Sequence, residues 1–170
     1  MLSLVAPEDR DVAYRNADAL VRLAACSTAP SRARRFVKSV LQLWDMSEWE
    51  ENAMLCASEL VTNSVIAGQG AYQQANSPST SPSTEATGVV ILCAVIDGCR
   101  LRIEAWDASE RQATIREAGP DDEHGRGLAL VQATSDRWGS DLALFETRTR
   151  RLCKVTWCEW DLTATGPEPP

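Results

Sequence analysis

Residues 88–107 read GVVILCAVIDGCRLRIEAWD, and this stretch predicts a β-hairpin. Its first half is rich in β-branched residues, and its second half alternates apolar and polar side chains, as strands do. Between the two halves stands Asp97-Gly98, a dipeptide typical of tight hairpin turns. Because successive strand residues point to opposite faces, Leu101 and Ile103 share one face of the second strand. The hairpin therefore supplies two antiparallel neighbours of a sheet.

Further strands and helices are predicted on both sides of the hairpin. Upstream, a strand spans 20–26, and a helix with apolar residues at helical spacing spans 28–44. A second helix begins at Ser47, which forms a capping box with Glu50, and ends at Gly68.

Downstream, a helix is predicted over 127–138, followed by strands around 141–146 and 151–160. The order along the chain is strand, two helices, two strands, helix and two strands. Such a mixed order predicts an α+β fold, in which helices cover one face of a mostly antiparallel sheet.

The chain has 170 residues, a length typical of one domain. That domain is predicted over 19–162, between a polar N-terminal arm (1–18) and a Pro-rich tail (163–170). The stretch 69–87 contains SPSTSPST, which cannot pack a core, and is expected to be an exposed insertion. The polar stretch 108–124 is expected to be a long loop, and such loops in compact domains are usually functional or disordered.

Charge and composition exclude several classes of function. Lys and Arg number 17 against 24 Asp and Glu, which gives a net charge of −7. A field of this sign repels phosphate backbones and anionic lipids, so we expect neither direct nucleic-acid binding nor a membrane partner. The longest apolar run, 89–96, is shorter than half a membrane span, and the first residues lack the features of a signal peptide. With no CxxC pair among six cysteines, the chain is expected to be cytoplasmic, with its thiols buried and reduced.

Three short segments carry candidate chemistry, and the first is ELVTNSV, residues 59–65. Glu59 and Asn63 are four apart on the second predicted helix and therefore share a face. They are either a solvated surface pair or a proton-accepting carboxylate beside an amide oxygen that binds Mg²⁺.

The second segment is EAWDAS, residues 104–109, in which Asp107 stands where a strand ends and the long loop begins. This aspartate either opens a turn or accepts a hydrogen bond from a nucleobase amine. In the third segment, HGRGLALV, Gly125 and Gly127 flank Arg126 at the start of a helix. They either form a helix-entry turn or let backbone N–H groups approach an anion, which the helix dipole favours.

Taken in this order, the three segments resemble the N box and the two glycine boxes of the gyrase/histidine-kinase-like (GHKL) ATP-binding superfamily, whose fold is the Bergerat fold. The chain is most similar to the stand-alone anti-sigma factor serine/threonine kinases of Gram-positive bacteria. In that family an RxFV-like run precedes the N box and a Trp-Gly pair follows the last helix. Here Arg34–Val37 and Trp138-Gly139 stand in those places, and the resemblance covers roughly residues 20–160.

The resemblance implies a site for ATP and Mg²⁺. Glu59 matches the family's catalytic base, and Asn63 matches its Mg²⁺ ligand. Asp107 matches the carboxylate that reads adenine, and Ser109 stands in the place of the first glycine of that box.

The resemblance also implies a phosphate-binding segment and a protein-kinase activity. Gly125, Arg126 and Gly127 match the phosphate-side glycine box, and 108–124 matches the mobile ATP lid. In this family ATP phosphorylates a serine of an anti-anti-sigma partner of the STAS type, while the kinase otherwise sequesters a sigma factor. The chain is therefore expected to be a protein serine/threonine kinase acting as an anti-sigma-type regulator, in an assembly that allows a homodimer.

The chain departs from the family at several positions. Ser109 and Arg111 stand where the family has two glycines, which implies a stiffer lid hinge. Val155 follows Lys154 where relatives carry a threonine that helps hold adenine, and Thr156 comes one residue later, on the opposite strand face. A second interpretation therefore stays open: a module of the same fold that binds nucleotide weakly or not at all and acts only by sequestering a partner.

Overall fold

In the described part of the chain, five strands form one antiparallel sheet. The structure is a computed structural model and describes residues 17–75, 89–109, 113–114, 126–145 and 151–162. The strands are β1 (Ala17–Ala24), β2 (Val89–Asp97), β3 (Arg100–Asp107), β4 (Arg137–Phe145) and β5 (Arg151–Asp161). They lie in the order β1-β2-β3-β5-β4, and every neighbouring pair is antiparallel.

The helices of the described residues are α1 (Ala29–Leu43), α2 (Glu50–Ala75) and α3 (Gly127–Thr134). A 3₁₀ turn over Ser47–Trp49 leads into α2. The predicted order of elements and the α+β class are therefore confirmed. None of these helices is both long and apolar enough to cross a membrane.

The predicted hairpin is present as β2 and β3. Asp97 pairs with Arg100, so Gly98 and Cys99 form the two-residue turn. Gly98 has a φ of 60°, in the left-handed region that glycine adopts without steric cost. Ile103 is fully buried, so the predicted apolar face of β3 is the one that packs against the core.

The helices build the core on one face of the sheet. Ala33 and Val37 of α1 and Leu60 and Val61 of α2 are completely buried. They belong to one cluster with the inward residues of β1, β2 and β3. Burial of a leucine or valine side chain stabilises the fold by about 1.5–3 kcal/mol. Packing of this face therefore sets the rotation of α2 about its own axis.

The opposite face of the sheet carries a charged network around Arg102. Its guanidinium lies 2.8 Å from Glu104, 3.1 Å from Glu159 and 4.3 Å from the ring centre of Trp157. Arg137 adds a second contact to Glu159 at 3.2 Å. Two arginines thus compensate the charge of Glu159, which is 6% exposed.

Helix α2 differs from its prediction at both ends. Ser47 is the first residue of the 3₁₀ turn, and α2 begins only at Glu50, so the predicted capping box is wrong. The helix continues through Gly68 to Ala75, so the predicted stop is wrong and the start of the predicted insertion 69–87 is helical. A glycine inside a helix costs only about 1 kcal/mol relative to alanine, too little to end a helix that is already packed.

Strand boundaries differ by a few residues. β1 begins at Ala17, inside the predicted arm 1–18, and β4 begins at Arg137, so α3 is shorter than predicted. The rest of the arm, residues 76–88, most of the predicted lid and the tail 163–170 lie outside the described residues.

All six cysteines are free thiols. Cys56 and Cys158 are buried, Cys93 and Cys153 are half-buried, and Cys26 and Cys99 are exposed. The expectation of buried thiols is therefore confirmed for Cys56 and Cys158 and wrong for Cys26 and Cys99. Burial raises the pKa of Cys93 to about 12, and nearby carboxylates add to this effect.

Candidate functional site

Helix α2 carries Glu59 and Asn63 at the border of the core. Both residues are half-buried. Their neighbours Leu60, Val61 and Ser64 are buried, and this packing fixes the direction in which both side chains leave the helix. The pair therefore does not lie on the fully solvated side of α2.

Gly127, the first residue of α3, lies against the Glu59 carboxylate. A methyl group at Gly127 would lie 2.5 Å from Glu59 Oε2, closer than side-chain carbons approach in proteins. Leu128 and Val131, which are buried, hold α3 in this position. The first and third candidate segments are therefore adjacent in the structure.

The amide of Asn63 has unused hydrogen-bonding capacity. Its Nδ2 is buried and has no hydrogen-bond partner among the described residues. Within these residues, no three or more His, Cys, Asp or Glu side chains form a group that could hold a metal ion. The described residues thus provide no complete cage for Mg²⁺. The unpartnered Nδ2 is a hydrogen-bond donor and cannot bind Mg²⁺, so only Oδ1 of Asn63 is suited to the common arrangement in which the protein gives one or two oxygens and bound phosphates and water give the others.

Asp107 ends β3 and is buried, with 4% exposure. Its Oδ1 accepts a hydrogen bond of 2.8 Å from the backbone N–H of Ser109, the contact typical of an aspartate that opens a turn. Its Oδ2 lies 3.0 Å from Nζ of Lys154, whose side chain is also buried. The carboxylate therefore has a counter-ion inside the protein, which offsets the cost of removing its charge from water.

Strand β5 presents Lys154 and Thr156 to the same side as Asp107. The register pairs Asp107 with Lys154, and Thr156, two residues further, faces the same way. Thr156 is buried, and its hydroxyl lies 3.5 Å from Ser140 Oγ. Thr156 and Val155 therefore lie on opposite faces of β5, as the alternation predicts, and the face of Thr156 is the one that carries Asp107.

Only part of the predicted lid and glycine box is described. The backbone N–H of Ala113 donates a hydrogen bond of 2.9 Å to Ser140 Oγ, which attaches this part of the lid to β4. Arg126 is the exposed N-cap residue of α3. Gly125 and Arg111 lie outside the described residues.

Cys56 joins α2 to α3 and β5, one turn before Glu59. Its Sγ lies 3.1 Å from Thr134 Oγ1 at the end of α3. A hydrogen bond from the Cys158 thiol lowers the pKa of Cys56, and burial raises the pKa of Cys158. Trp160 Nε1 donates to the Thr134 carbonyl at 2.7 Å. These contacts fix the position of α2 relative to α3, and hence of the two candidate segments they carry.

Lys154 lies at the candidate site through its ion pair with Asp107, and sequence analysis did not select it. The alternation of residues 151–160 places it on the same face as Thr156 and Cys158, and a lysine on a buried face requires a counter-charge. The sequence alone therefore indicated that Lys154 needs an acidic partner. The choice of Asp107 as its partner depends on the order of the strands, which the sequence does not reveal.

Comparison with known protein families and with curated protein sequences yields no match to this chain.

Proposed function

We propose that the chain is an ATP-dependent protein serine/threonine kinase with a Bergerat-type ATP site, acting as an anti-sigma-type regulator. The observation that supports this most directly is the contact between the Glu59 carboxylate and Gly127 at the start of α3. A helix N-terminus attracts phosphates through its free N–H groups and its dipole. A carboxylate at that point is suited to take the proton of a hydroxyl that attacks a bound phosphoryl group.

Each predicted residue has a role in this proposal. Glu59 accepts the serine proton, and Asn63 supplies an oxygen to Mg²⁺, which neutralises phosphate charge when bound. Asp107 accepts a hydrogen bond from the adenine amine, and the backbone N–H of Ser109 holds that carboxylate in place. The backbone of Gly125–Gly127 binds phosphate oxygens.

Mg-ATP is expected to stabilise the protein, and Asn63→Ala is expected to remove the Mg²⁺-dependent part of this effect. At about 100 times its Kd, a ligand stabilises by about 2.7 kcal/mol, which corresponds to about 5–11 °C in Tm at this chain length. Thermal melts with ATP, with and without Mg²⁺, measure both quantities.

Asn52→Ala is the matched control, because Asn52 is exposed on the same helix, and it should respond to Mg-ATP as the wild type does. An unchanged Mg²⁺-dependent shift in Asn63→Ala would remove Asn63 from the site. A wild-type protein that Mg-ATP does not stabilise would overturn the proposed nucleotide site.

Gly127→Ala is expected to displace the Glu59 carboxylate with little loss of stability. The clashing atom is the end of a flexible side chain, so the free energy of unfolding should change by less than about 1 kcal/mol. Phosphoryl transfer should slow by about 10²-fold, since a misplacement of about 1 Å can cost that much. Urea denaturation and transfer of label from γ-labelled ATP measure the two effects.

Gly139→Ala is the control variant, which should lose stability but keep its rate of phosphoryl transfer. Its methyl group would lie 2.6 Å from Cζ2 of Trp157, an atom of a rigid ring, so this variant should lose about 1–3 kcal/mol of stability through overpacking. Its transfer rate should stay near that of the wild type while it is folded. Wild-type transfer in Gly127→Ala would show that the Glu59 position does not matter for the reaction.

A second function, sequestration of a partner without catalysis, is supported by the ion pair between Asp107 and Lys154. Because Lys154 already compensates the charge of the carboxylate, an adenine amine gains less electrostatic energy by binding there. Under either function, the proposed partners are a sigma factor, an anti-anti-sigma protein of the STAS type, or both. We propose a cytoplasmic protein that can form a homodimer and contacts neither nucleic acid nor membrane.

A further inference from the structure

The ion pair between Asp107 and Lys154 includes the carboxylate that contacts the nucleobase in the proposed function. Nζ of Lys154 and Oδ2 of Asp107 are 3.0 Å apart, and the two side chains are 4% and 3% exposed. Buried ion pairs are often replaceable by apolar residues without loss of stability, so stability alone does not account for this one.

One side chain of the pair is a hydrogen-bond acceptor and the other is a hydrogen-bond donor. An ionised carboxylate only accepts hydrogen bonds and has about four lone-pair sites, and an ammonium only donates and has three N–H groups. Asp107 uses one site of Oδ1 for the backbone N–H of Ser109, whereas its Oδ2 pairs with the charge of Lys154 at 3.0 Å and has no hydrogen-bond partner among the described residues. The pair can therefore offer a further acceptor and a further donor, side by side, to one ligand.

The edge of a purine base carries groups that match such a pair. Adenine has its 6-amino donor beside the acceptor N1, and a 6-oxopurine such as guanine has the acceptor O6 beside the donor N1–H. A carboxylate alone can bind the adenine amine but repels a keto oxygen at the same position. An ammonium next to it gives that oxygen a partner.

We propose that Lys154 is a specificity-determining residue that admits 6-oxopurine nucleotides such as GTP beside ATP. This inference rests on the proposed function, in which Asp107 faces the base. Lys154 supplies the donor for O6, and Asp107 accepts from N1–H of guanine or from the 6-amino group of adenine. Buried Thr156, on the same face of β5, adds a hydroxyl to this polar surface.

The test compares the binding of Mg-ATP, Mg-GTP and Mg-ITP by isothermal titration. The wild type should bind GTP and ITP within about 10-fold of ATP. In Lys154→Met, affinity for the two 6-oxopurine nucleotides should fall by about 10- to 100-fold more than affinity for ATP, the usual loss when a designed hydrogen-bond partner is missing. Lys38→Met is the matched control, since Lys38 is the other lysine of the chain and is exposed on α1.

The outcomes separate this inference from the proposed function. If the wild type binds ATP but neither GTP nor ITP at the same concentrations, the inference is wrong and the nucleotide site stands. The same holds if folded Lys154→Met keeps the wild-type ratio of ATP to GTP affinity. If no nucleotide binds, both proposals are wrong. Should Lys154→Met fail to fold, Lys154→Arg keeps charge and donor and must retain GTP binding; its loss beside intact ATP binding would overturn the inference.

Discussion

Glu59→Gln is expected to slow phosphoryl transfer by about 10²–10⁴-fold, the usual contribution of a general base. Glutamine has nearly the same shape as glutamate and preserves the contact with Gly127, but its amide does not take up a proton at neutral pH. Binding of Mg-ATP should stay close to that of the wild type, because the base acts on the serine proton and not on the nucleotide. Loss of transfer with retained binding is therefore the expected signature.

The measurement follows label from γ-labelled ATP to STAS-type proteins encoded in the same genome, and hydrolysis of the same ATP to phosphate. Thermal melts with Mg-ATP on the same preparations report binding. Glu51→Gln is the matched control, because Glu51 is exposed in the first turn of the same helix. Equal transfer by the wild type and Glu59→Gln would make Glu59 a structural residue.

The same experiment separates the two proposed functions. A wild-type protein that binds Mg-ATP but transfers no label to any of these proteins would favour sequestration of a partner. Transfer that depends on Glu59 would favour the kinase, and the ion pair at Asp107 would then be part of a working nucleotide site.

Local signals were sufficient to predict the hairpin and the order of elements. Asp97-Gly98 fits the turn because Gly98 adopts a positive φ, and the alternation of 100–107 matches the buried face of β3. The order of the strands in the sheet could not be predicted from such local signals. β5 lies between β3 and β4, and this insertion depends on contacts between segments more than forty residues apart. Such pairing has no signature within one stretch of sequence.

The end of α2 shows where local signals fail. Gly68 is a reasonable stop on propensity alone, but its cost of about 1 kcal/mol is small beside the burial of several side chains in the preceding turns. Gly68 alone therefore does not end α2, and its presence in the sequence was not a sufficient signal for the boundary.

One part of the candidate site could likewise be predicted from the sequence, and another part could not. The spacing of Glu59 and Asn63 on one helix face was predictable because it needs only the helical repeat. Contact of Glu59 with Gly127 required the packing of α2 on α3, which only the resemblance to a known family suggested. Lys154 could be recognised as a buried lysine, but its partner Asp107 follows from the β3–β5 register.

Asp107→Asn is expected to give the largest loss of stability among single changes at the site. Asparagine still accepts the N–H of Ser109 but leaves Lys154 as a buried charge without its counter-ion. Breaking a buried ion pair by removing one partner costs about 3–5 kcal/mol, or about 6–20 °C in Tm at this chain length. Lys154→Met should cost a similar amount, since it leaves the buried Asp107 carboxylate without its counter-ion.

The double variant D107N/K154M tests whether this loss of stability comes from the buried charge that each single variant leaves unpaired. With both charges removed, stability should recover to within about 2 kcal/mol of the wild type, so the two single effects are strongly non-additive. Arg100→Met is the control for an exposed pair: Arg100 lies 3.9 Å from Asp161 at the surface, and its loss should cost less than about 1 kcal/mol. Urea denaturation of the four variants gives the coupling free energy. Additive effects would mean that Asp107 and Lys154 are stabilised separately by other groups, and the site would then hold two independent charges in place of one pair.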